Sequence, residues 1–513
     1  MRSRIQRRTT LICRYSRVQE VVRVPSMSLS ELACGLADIP SSLAAAPICD
    51  ITLDSRQVTN GAGFIAIQGA QTDGRRFIPD ALERGAAVVL AEPFEAVDLG
   101  PRVVTVPDLK SHLGELAKRF YANPSAQLAL LAVTGTNGKT SISDYIGQLL
   151  RLLGESAGTI GTLGARLRSG EAVESQNTTP DVISLNRQLA DWVDQGVRFV
   201  ALEASSHALE QSRMDGLTVH TAVFSNLTRD HLDYHGNLDS YRQAKLRLFT
   251  DFTPDRVIYN ADDPSTQGAR EASANPALGV SLVNASGDVY VKVLDETPTG
   301  LRFQIHSPYG TAQIDSALHG RFNAFNVAVA VIAVTGLGFA FTQVANAAEH
   351  LLPVDGRMQE VKGGGDLRVV VDYAHTPDAL ASALGALKPS CAGMLWVVFG
   401  CGGDRDVGKR SEMGKIATSL ADQLIVTNDN PRSEAPDAIA NDILRGVGTS
   451  ACRVELDRSE AIRYAVLNAQ PGDTVLVAGK GHESYQLVGD KKLDFSDVDC
   501  AAQALREREV AYA

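Results

Sequence analysis

Residues Leu128–Leu153 read LALLAVTGTNGKTSISDYIGQLLRLL. The opening Leu128–Val133 is an apolar run of strand length, and from Lys139 onward Ile142, Tyr145, Ile146, Leu149, Leu150 and Leu153 recur at helical spacing. Between them lies Thr134-Gly135-Thr136-Asn137-Gly138-Lys139-Thr140-Ser141. A glycine-containing turn between a strand and a helix is what a phosphate cradle needs. Glycines let successive backbone N–H groups turn inward, the helix N-terminus adds positive potential, a lysine reaches the terminal phosphates, and a hydroxyl binds Mg²⁺. The strict pattern wants glycine where Val133 stands, so this is a variant loop. Its context predicts an ATP or GTP site rather than a plain connection.

Strand-and-helix alternation continues on both sides. Upstream, Gly63–Ile67, Ala86–Ala91 and Arg102–Val106 read as strands, with helices over Arg76–Arg84 and Asp108–Tyr121. Asn123-Pro124 is a predicted break. Downstream, Phe199–Leu202, Val219–Phe224 and Val257–Tyr259 are strand candidates, and Ala324–Val334 is an apolar helix. After a second linker at Leu352-Pro353-Val354-Asp355-Gly356 come strands Leu367–Val371, Leu395–Phe399, Leu424–Thr427 and Thr474–Ala478. Alternation of this kind implies parallel sheets with helices on their faces. For 513 residues the length prior is about three domains. The expectation is three α/β domains: residues 27–125, 126–352 and 353–513.

Composition narrows the class. Hydrophobic residues make up 44% and charged residues 21%, which suits a globular chain. No run approaches the roughly 18 apolar residues of a membrane span. A net charge of −11 argues against binding nucleic acid through a basic surface. Cys13, Cys34, Cys49, Cys391, Cys401, Cys452 and Cys500 form no C-x-x-C pair, as suits a reducing cytosol without a zinc framework. Residues 1–26 differ from the rest, with seven arginines against the single Glu20. They lack a secretory apolar core and read as a disordered extension, or a start assigned too early with Met27 as the true one; a transit peptide is the weaker alternative.

Two further strands end in chemistry-bearing residues. Glu203, Ser205, Ser206 and His207 follow Phe199–Leu202, and Ser225-Asn226-Leu227-Thr228-Arg229-Asp230-His231 follows Val219–Phe224. Ligands bind at the C-terminal ends of such strands. Alone, Glu203 and His231 suit helix capping or a solvated surface as well as metal binding; the phosphate loop in the same sheet favours metal. Lys245, on the helix that follows, reads by itself as a solvated lysine.

These segments, with Y-R-Q-A-K-L-R-L-F (241–249), H-G-R-F-N-A-F-N (319–326), D-G-R-M (355–358), D-Y-A-H-T-P-D (372–378) and A-G-K-G-H-E (478–483), occur in the order seen in Mur ligases. The chain resembles that family over residues 28–513, and within it the diaminopimelate-adding branch. The resemblance implies a UDP-binding N-terminal domain, a central P-loop ATPase domain and a Rossmann-like C-terminal domain. It implies ATP and Mg²⁺ as cofactors, UDP-MurNAc-L-Ala-D-Glu and meso-2,6-diaminopimelate as substrates, and a cytoplasmic monomer. By the same likeness Gly135, Thr136, Asn137, Gly138, Lys139, Thr140 and Ser141 would hold the ATP phosphates. Thr140, Glu203, His231 and a carbamylated Lys245 would form the metal site. Asn326, Arg357 and Asp372 resemble the adenine, phosphate and ribose contacts. Leu53, Asp54, Ser55 and Arg56, with Ala70, Gln71, Thr72, Asp73 and Gly74, resemble the uridine-diphosphate contacts, although Ala70 stands where relatives carry His. Asn177, Thr178, Thr179, Ser205, Gln211 and Arg213 resemble those to the muramoyl dipeptide.

Asp429-Asn430-Pro431-Arg432 follows Leu424–Thr427. On composition it is a turn; within the resemblance it is the meso-diaminopimelate signature. Diaminopimelate is lysine with a second carboxylate at its far end, and a guanidinium can grip a carboxylate through two parallel bonds. Arg432 is the candidate for that grip, with Asp429 and Asn430 beside the ammonium; Arg405, Gly479 and Glu483 resemble the remaining contacts. Discrimination against lysine is expected to reach at least about a hundredfold. Gly400-Cys401-Gly402-Gly403-Asp404-Arg405 has Arg where a dinucleotide fingerprint needs Gly or Ala, so a loop presenting Arg405 is the better reading. Four alternatives weigh less. A folylpolyglutamate synthetase lacks the uridine-binding domain, and a lysine-adding Mur ligase is opposed by Arg432. A switch hydrolysing ATP or GTP would not need a third domain with substrate-like motifs, and no guanine-reading N-K-x-D appears; a non-catalytic binding protein would not need the phosphate-loop lysine, hydroxyl and metal-site candidates.

Overall fold

The computed structural model describes residues 26–512 apart from 70–71, 95–99, 168–172, 174–176, 298 and 364. The Arg-rich stretch 1–25 and the candidate uridine contacts Ala70 and Gln71 therefore lie outside the described residues. The chain divides into two compact units with the boundary after Lys110. The first holds a parallel sheet in the order Asp50–Thr52, Ala62–Ala66, Val88–Ala91 and Val103–Thr105. Its core packs Phe64, Ala66 and Val89 under Ile78 and Ala81.

The second unit holds two larger sheets. The ten-stranded one runs Gly310–Ser316, Gly300–Ser307, Val289–Thr297, Ala277–Ser281, Arg256–Asn260, Thr221–Phe224, Ala129–Thr134, Phe199–Glu203, Ala157–Gly161 and Gly164–Arg166. The strand Ala129–Thr134 is its organiser. Leu131 and Val133 face one side, against Ile142, Ile146 and Leu149 of the helix Lys139–Leu152 and Val327 and Val331 of Arg321–Thr335. Leu130 and Ala132 face the other, against Leu185, Leu189 and Trp192 of Val182–Asp194. A strand covered on both faces has no polar side to show, which is why its sequence is continuously apolar. The helix Leu113–Phe120, read from sequence as part of the first block, stands in this second unit, where the Tyr121 hydroxyl accepts from Arg187 Nε (3.1 Å).

The six-stranded sheet runs Gln359–Val361, Arg368–Asp372, Thr474–Ala478, Leu395–Phe399, Gln423–Val426 and Arg453–Val454. Val370, Val397 and Leu476 face one helical layer; Val369, Val398 and Val475 face the other.

The all-parallel expectation needs correction at three places: Gly164–Arg166 runs antiparallel to Ala157–Gly161, Gln359–Val361 runs antiparallel to Arg368–Asp372, and a meander closes the other edge of the ten-stranded sheet. Val289–Thr297, Gly300–Ser307 and Gly310–Ser316 form this antiparallel meander. Val289 and Val291, Phe303 and Ile305, and Ile314 are buried while alternate residues face outward, the period of a half-covered sheet. Connections this short cannot cross over to a parallel neighbour.

Candidate active site

Register places the site. Glu203 pairs beside Val133 on one flank of the organising strand and Phe224 beside Thr134 on the other, so three strands deliver their C-terminal ends to one edge. The phosphate loop leaves that edge at Gly135, whose φ of +146° puts it beyond ordinary L-residue conformations; a Cβ there would collide with Ser225 Oγ. Gly138, at φ +87°, lets the turn pass Asn326, whose Oδ1 would stand 2.9 Å from an added Cβ. The neighbouring strand end fixes the loop: Thr136 N donates to Asn226 O (2.9 Å), Asn137 N to Asn226 Oδ1 (2.9 Å), and Thr228 N to Thr136 Oγ1 (2.9 Å).

Lys139 Nζ folds back to donate to Gly135 O and Thr136 O, both at 2.9 Å. Burial lowers its pKa, while Glu203 and Asp230 oppose that shift. Thr140 Oγ1 donates to Glu203 Oε2 (3.1 Å) and accepts from Arg357 Nη2 (2.9 Å), so the hydroxyl, the carboxylate and a guanidinium from beyond the 352–356 linker meet at one place. Glu203 is buried and also accepts from Thr162 N (2.8 Å) and Thr162 Oγ1 (3.0 Å). Ser141 lies buried in the first turn of the helix.

Lys245 is not solvated. It is 1% exposed, donates to Gly135 O at 2.7 Å, and its Nζ stands 4.4 Å from the Tyr241 ring centroid. Burial, with Lys139 nearby, pushes its pKa well below the lysine range. His231 sits in a left-handed turn (φ +53°) beside Asp230, Nε2 to Oδ2 at 3.3 Å. Its ring is 4.8 Å from that of His207. Burial lowers these imidazoles to about 3 and about 4, so both are neutral at pH 7. Burial alone would raise Asp230, but His375 and His231 hold its carboxyl well below the usual range.

Across this edge lie groups from beyond the linker. Asp372 Oδ2 accepts from Met358 N (2.7 Å), and burial raises its pKa. Arg357 lies over the Tyr373 ring at 4.3 Å. Buried Asn326 donates to Asn323 Oδ1 (3.3 Å).

The Asp429–Arg432 tetrapeptide is a built site as well as a turn. Asn430 is 3% exposed; its Oδ1 accepts from Lys480 Nζ (3.0 Å) and Leu487 N (2.9 Å), and its Nδ2 donates to Glu483 Oε2 (2.9 Å). Gly479, at φ +122°, admits Asp429, whose Oδ2 would stand 2.5 Å from a Cβ. Pro431 is buried. Arg432 has φ +52° and donates from Nη1 to Gly403 O (2.8 Å). Burial and then Arg405 lower its pKa; a Cβ on Gly402 would stand 2.9 Å from Arg432 Nη1 and 3.6 Å from Arg405 Cγ, so both cationic side chains flank Gly402. That concentration of positive charge suits a carboxylate.

A third group gathers Thr179, Ser205, Gln211 and Arg213. Thr179 Oγ1 donates to Glu203 O (2.6 Å), Ser205 N donates to Thr179 Oγ1 (3.2 Å), Arg213 Nη1 donates to Thr179 O (3.0 Å), and Gln211 Oε1 accepts from Arg213 Nη2 (2.6 Å). Thr178 Oγ1 is 3.4 Å from Thr162 Oγ1, and Asn177 is exposed. In the first unit, Asp54 pairs with Arg56 (2.7 Å) and Asp73 with Arg75 (2.8 Å), each carboxylate capping the 3₁₀ turn that follows it. Ser55 is buried in the first turn and Leu53 precedes it; Thr72, exposed, precedes the cap Asp73 of the second. Sequence reasoning placed His207 at a ligand-binding strand end without assigning it a role, and gave none to Thr162, His375 or Lys480. The signal for Lys480 is a lysine two residues past a buried strand; Thr162 and His375 become visible only once the strands are aligned.

Three family models match in order: "Mur ligase family, catalytic domain" over residues 47–121, "Mur ligase middle domain" over 133–334, and "Mur ligase, glutamate ligase domain" over 356–481. The chain belongs to the Mur ligase family, a three-domain α/β architecture. It is 42% identical over 472 residues to the UDP-N-acetylmuramoyl-L-alanyl-D-glutamate--2,6-diaminopimelate ligase of Geobacillus thermodenitrificans, covering 90% of this chain and 95% of that one. It is 43% identical over 481 residues to the ligase of the same name in Alkalilimnicola ehrlichii, covering 91% and 96%. A solved structure of a protein so named superposes with a TM-score of 0.68 at 37% identity, over 94% of this chain and 99% of that one. MurF from Acinetobacter baumannii (TM-score 0.67, 19% identity, 89% and 96% covered) shares the fold.

Proposed function

We propose that the chain catalyses ATP-dependent addition of meso-2,6-diaminopimelate to the D-Glu side-chain carboxylate of UDP-MurNAc-L-Ala-D-Glu, making the UDP-MurNAc-tripeptide of peptidoglycan synthesis. The observation that carries this reading is that Arg432 and Arg405 both flank Gly402 at the edge of one sheet, while a phosphate loop stands at the edge of the other. In this reading the D-Glu carboxylate attacks the γ-phosphorus of ATP, giving an acyl phosphate and ADP. The amine of diaminopimelate then attacks the acyl carbon, and phosphate leaves from the tetrahedral intermediate. Lys139 and the N–H groups of residues 135–140 meet the charge on the transferred phosphoryl group. Thr179, Ser205, Gln211 and Arg213 orient the dipeptide, and Asn326, Arg357 and Asp372 hold the nucleotide from the far side. Leu53, Ser55 and Thr72, with Ala70 and Gln71, serve the uridine diphosphate. Asp429, Asn430 and Glu483 face the amino-acid ammonium.

Mg²⁺ fits the donors present. Thr140 and Glu203 bring a hydroxyl and a carboxylate together at 3.1 Å, and this hard cation commonly takes one or two carboxylates with phosphates completing its shell. His231, neutral, would add a nitrogen donor. A neutral Lys245 amine is the form that combines with CO₂, and the resulting carbamate supplies oxygens. When bound, the metal offsets negative charge among the phosphates and the carboxylate.

Among the described residues no helix is long and apolar enough to cross a membrane. A cytoplasmic location fits this reading, since ATP and the nucleotide-linked substrate are cytosolic compounds. The test is phosphate release with ATP, Mg²⁺ and UDP-MurNAc-L-Ala-D-Glu, adding meso-diaminopimelate or L-lysine. Release with diaminopimelate alone is expected. Release with lysine alone would keep the ligase chemistry and overturn the Arg432 argument; release with neither, from folded protein, would overturn the function.

A further inference from the structure

The loop that ends the strand Thr221–Phe224 and the loop that ends Leu395–Phe399 are tied by a residue that none of the chemistry above uses. Arg229 precedes Asp230 and His231. Its Nε donates to Asp406 Oδ2 (2.8 Å) and its Nη2 to Asp406 Oδ1 (3.0 Å), two parallel bonds, while Nη1 donates to Glu412 Oε1 (3.1 Å). The Asp406 side chain is 9% exposed and that of Arg229 38%. The pairing holds the Asp406 carboxyl below its ordinary range. Arg229 is also seated against backbone: a Cβ on Gly408 would run into its Nη2. Asp406 accepts from Gly408 N (2.9 Å) at the start of the helix Gly408–Leu420.

The same loop is anchored at its other end. Ser433 N and Oγ donate to Asp404 (3.1 and 2.7 Å), Asp404 N donates to Glu434 (2.6 Å), and buried Arg410 grips Glu434 (2.7 Å). Residues 402–406 thus hang between two supports. One is the segment carrying Arg432; the other is Arg229, on the opposite sheet. An exposed ion pair would contribute little. This one is bidentate, has a nearly buried carboxylate, and joins segments 177 residues apart.

We infer that Arg229 is a positioning residue: through Asp406 it seats residues 402–406, and with them Arg405, against the loop that carries Asp230 and His231. The amino-acid subsite is then complete only when the six-stranded sheet is docked on the ten-stranded one. The role given to Arg405 rests on the proposed function; the clamp does not. Asn137 to Asp378 (3.0 Å) and Arg357 to Thr140 (2.9 Å) tie the two sheets on the nucleotide side, so Arg229 supplies the tie on the amino-acid side.

The test compares full-length R229A, D406N and the double variant. D406N keeps an acceptor for Gly408 N while removing the charge. Hydrogen–deuterium exchange over residues 400–408 needs no turnover and reads the clamp directly. Faster exchange is expected in both single variants and no further increase in the double, the non-additivity of two groups that act as one. In turnover, KM for diaminopimelate should rise about tenfold with kcat changed less than about threefold, the loss of one charge-assisted contact made outside the reacting atoms. Wild-type exchange and KM in R229A would overturn the clamp, as would single-variant defects that multiply in the double. If R229A does not fold, D406N alone carries the same comparison. Absence of diaminopimelate-dependent turnover in the unaltered protein would overturn the function, leaving exchange to decide the clamp.

Discussion

Arg432→Ala is the substitution that most directly probes amino-acid choice. The Arg432 guanidinium is half-buried, donates from Nη1 to Gly403 O at 2.8 Å, and makes no other side-chain hydrogen bond among the described residues than the long one to Asn430 O (3.4 Å). Its remaining N–H groups are oriented by a left-handed backbone and free for a ligand. A charge-assisted contact of this kind contributes roughly 1.5–3 kcal/mol when partner and solvent are exchanged. Arg405 flanks the same Gly402, a second cation that trims the loss; partial exposure trims it again. A loss of about 1–2 kcal/mol corresponds to about 5- to 30-fold in kcat/KM. L-Lysine has no distal carboxylate, so its turnover should change little or improve as an unmatched cation is removed. The assay is phosphate release against each amino acid at fixed ATP and nucleotide substrate. The diagnostic quantity is the ratio of the two kcat/KM values. Should Arg432→Ala leave that ratio within about threefold of wild type, against the tenfold steps that 1.36 kcal/mol represents, the carboxylate is read elsewhere and the reasoning fails.

Other perturbations follow from the same geometry. Lys139→Ala should abolish phosphate release while binding of the UDP substrate, followed calorimetrically, persists; loss of both would contradict a uridine site in the first unit. His207 and His231, held at about 4 and about 3, lie below the ordinary imidazole value near 6.5. Between those values the unfolded chain binds protons that the folded one does not, so stability should fall as pH drops from 6.5 toward 4. His207→Gln should flatten that slope in melting temperature, and an unchanged slope would point to other groups. Arg458 and Asp497 form an ion pair with both side chains fully buried, at 2.7 Å. Asp497→Ala should destabilise the six-stranded domain by about 3–5 kcal/mol by leaving a buried guanidinium unpaired; a denaturation midpoint near wild type would show that water reaches it.

The three sheets were legible because their central strands are covered on both faces. Leu395–Phe399 and Thr474–Ala478 match the expected spans residue for residue, since an unbroken apolar run admits little else. The meander 289–316 was not legible, because alternation with polar residues such as Lys292 and Gln304 weakens the signal over short windows. At the site, residues within contiguous motifs were found, among them Lys139, Glu203 and Asp429–Arg432. What escaped were partnerships across the fold. His375 meets Asp230 and Arg229 meets Asp406 only because two separate sheets end at facing edges, and no local pattern encodes that encounter. Lys245 shows the opposite failure: residue type alone predicted a solvated chain, and packing against Tyr241 under the phosphate loop overrode it.

Gly135 O accepts from two lysines, Lys139 at 2.9 Å and Lys245 at 2.7 Å. Burial depresses both pKa values, and Lys139 adds to the effect at Lys245. Burial thus weakens proton binding at both amines relative to free lysines, and an arriving polyphosphate opposes this at Lys139 by stabilising its ammonium. Nucleotide binding should then draw a proton from solvent. The observed binding heat would shift with the ionisation enthalpy of the buffer, making the loop a coupled acid–base centre as well as an electrostatic cradle.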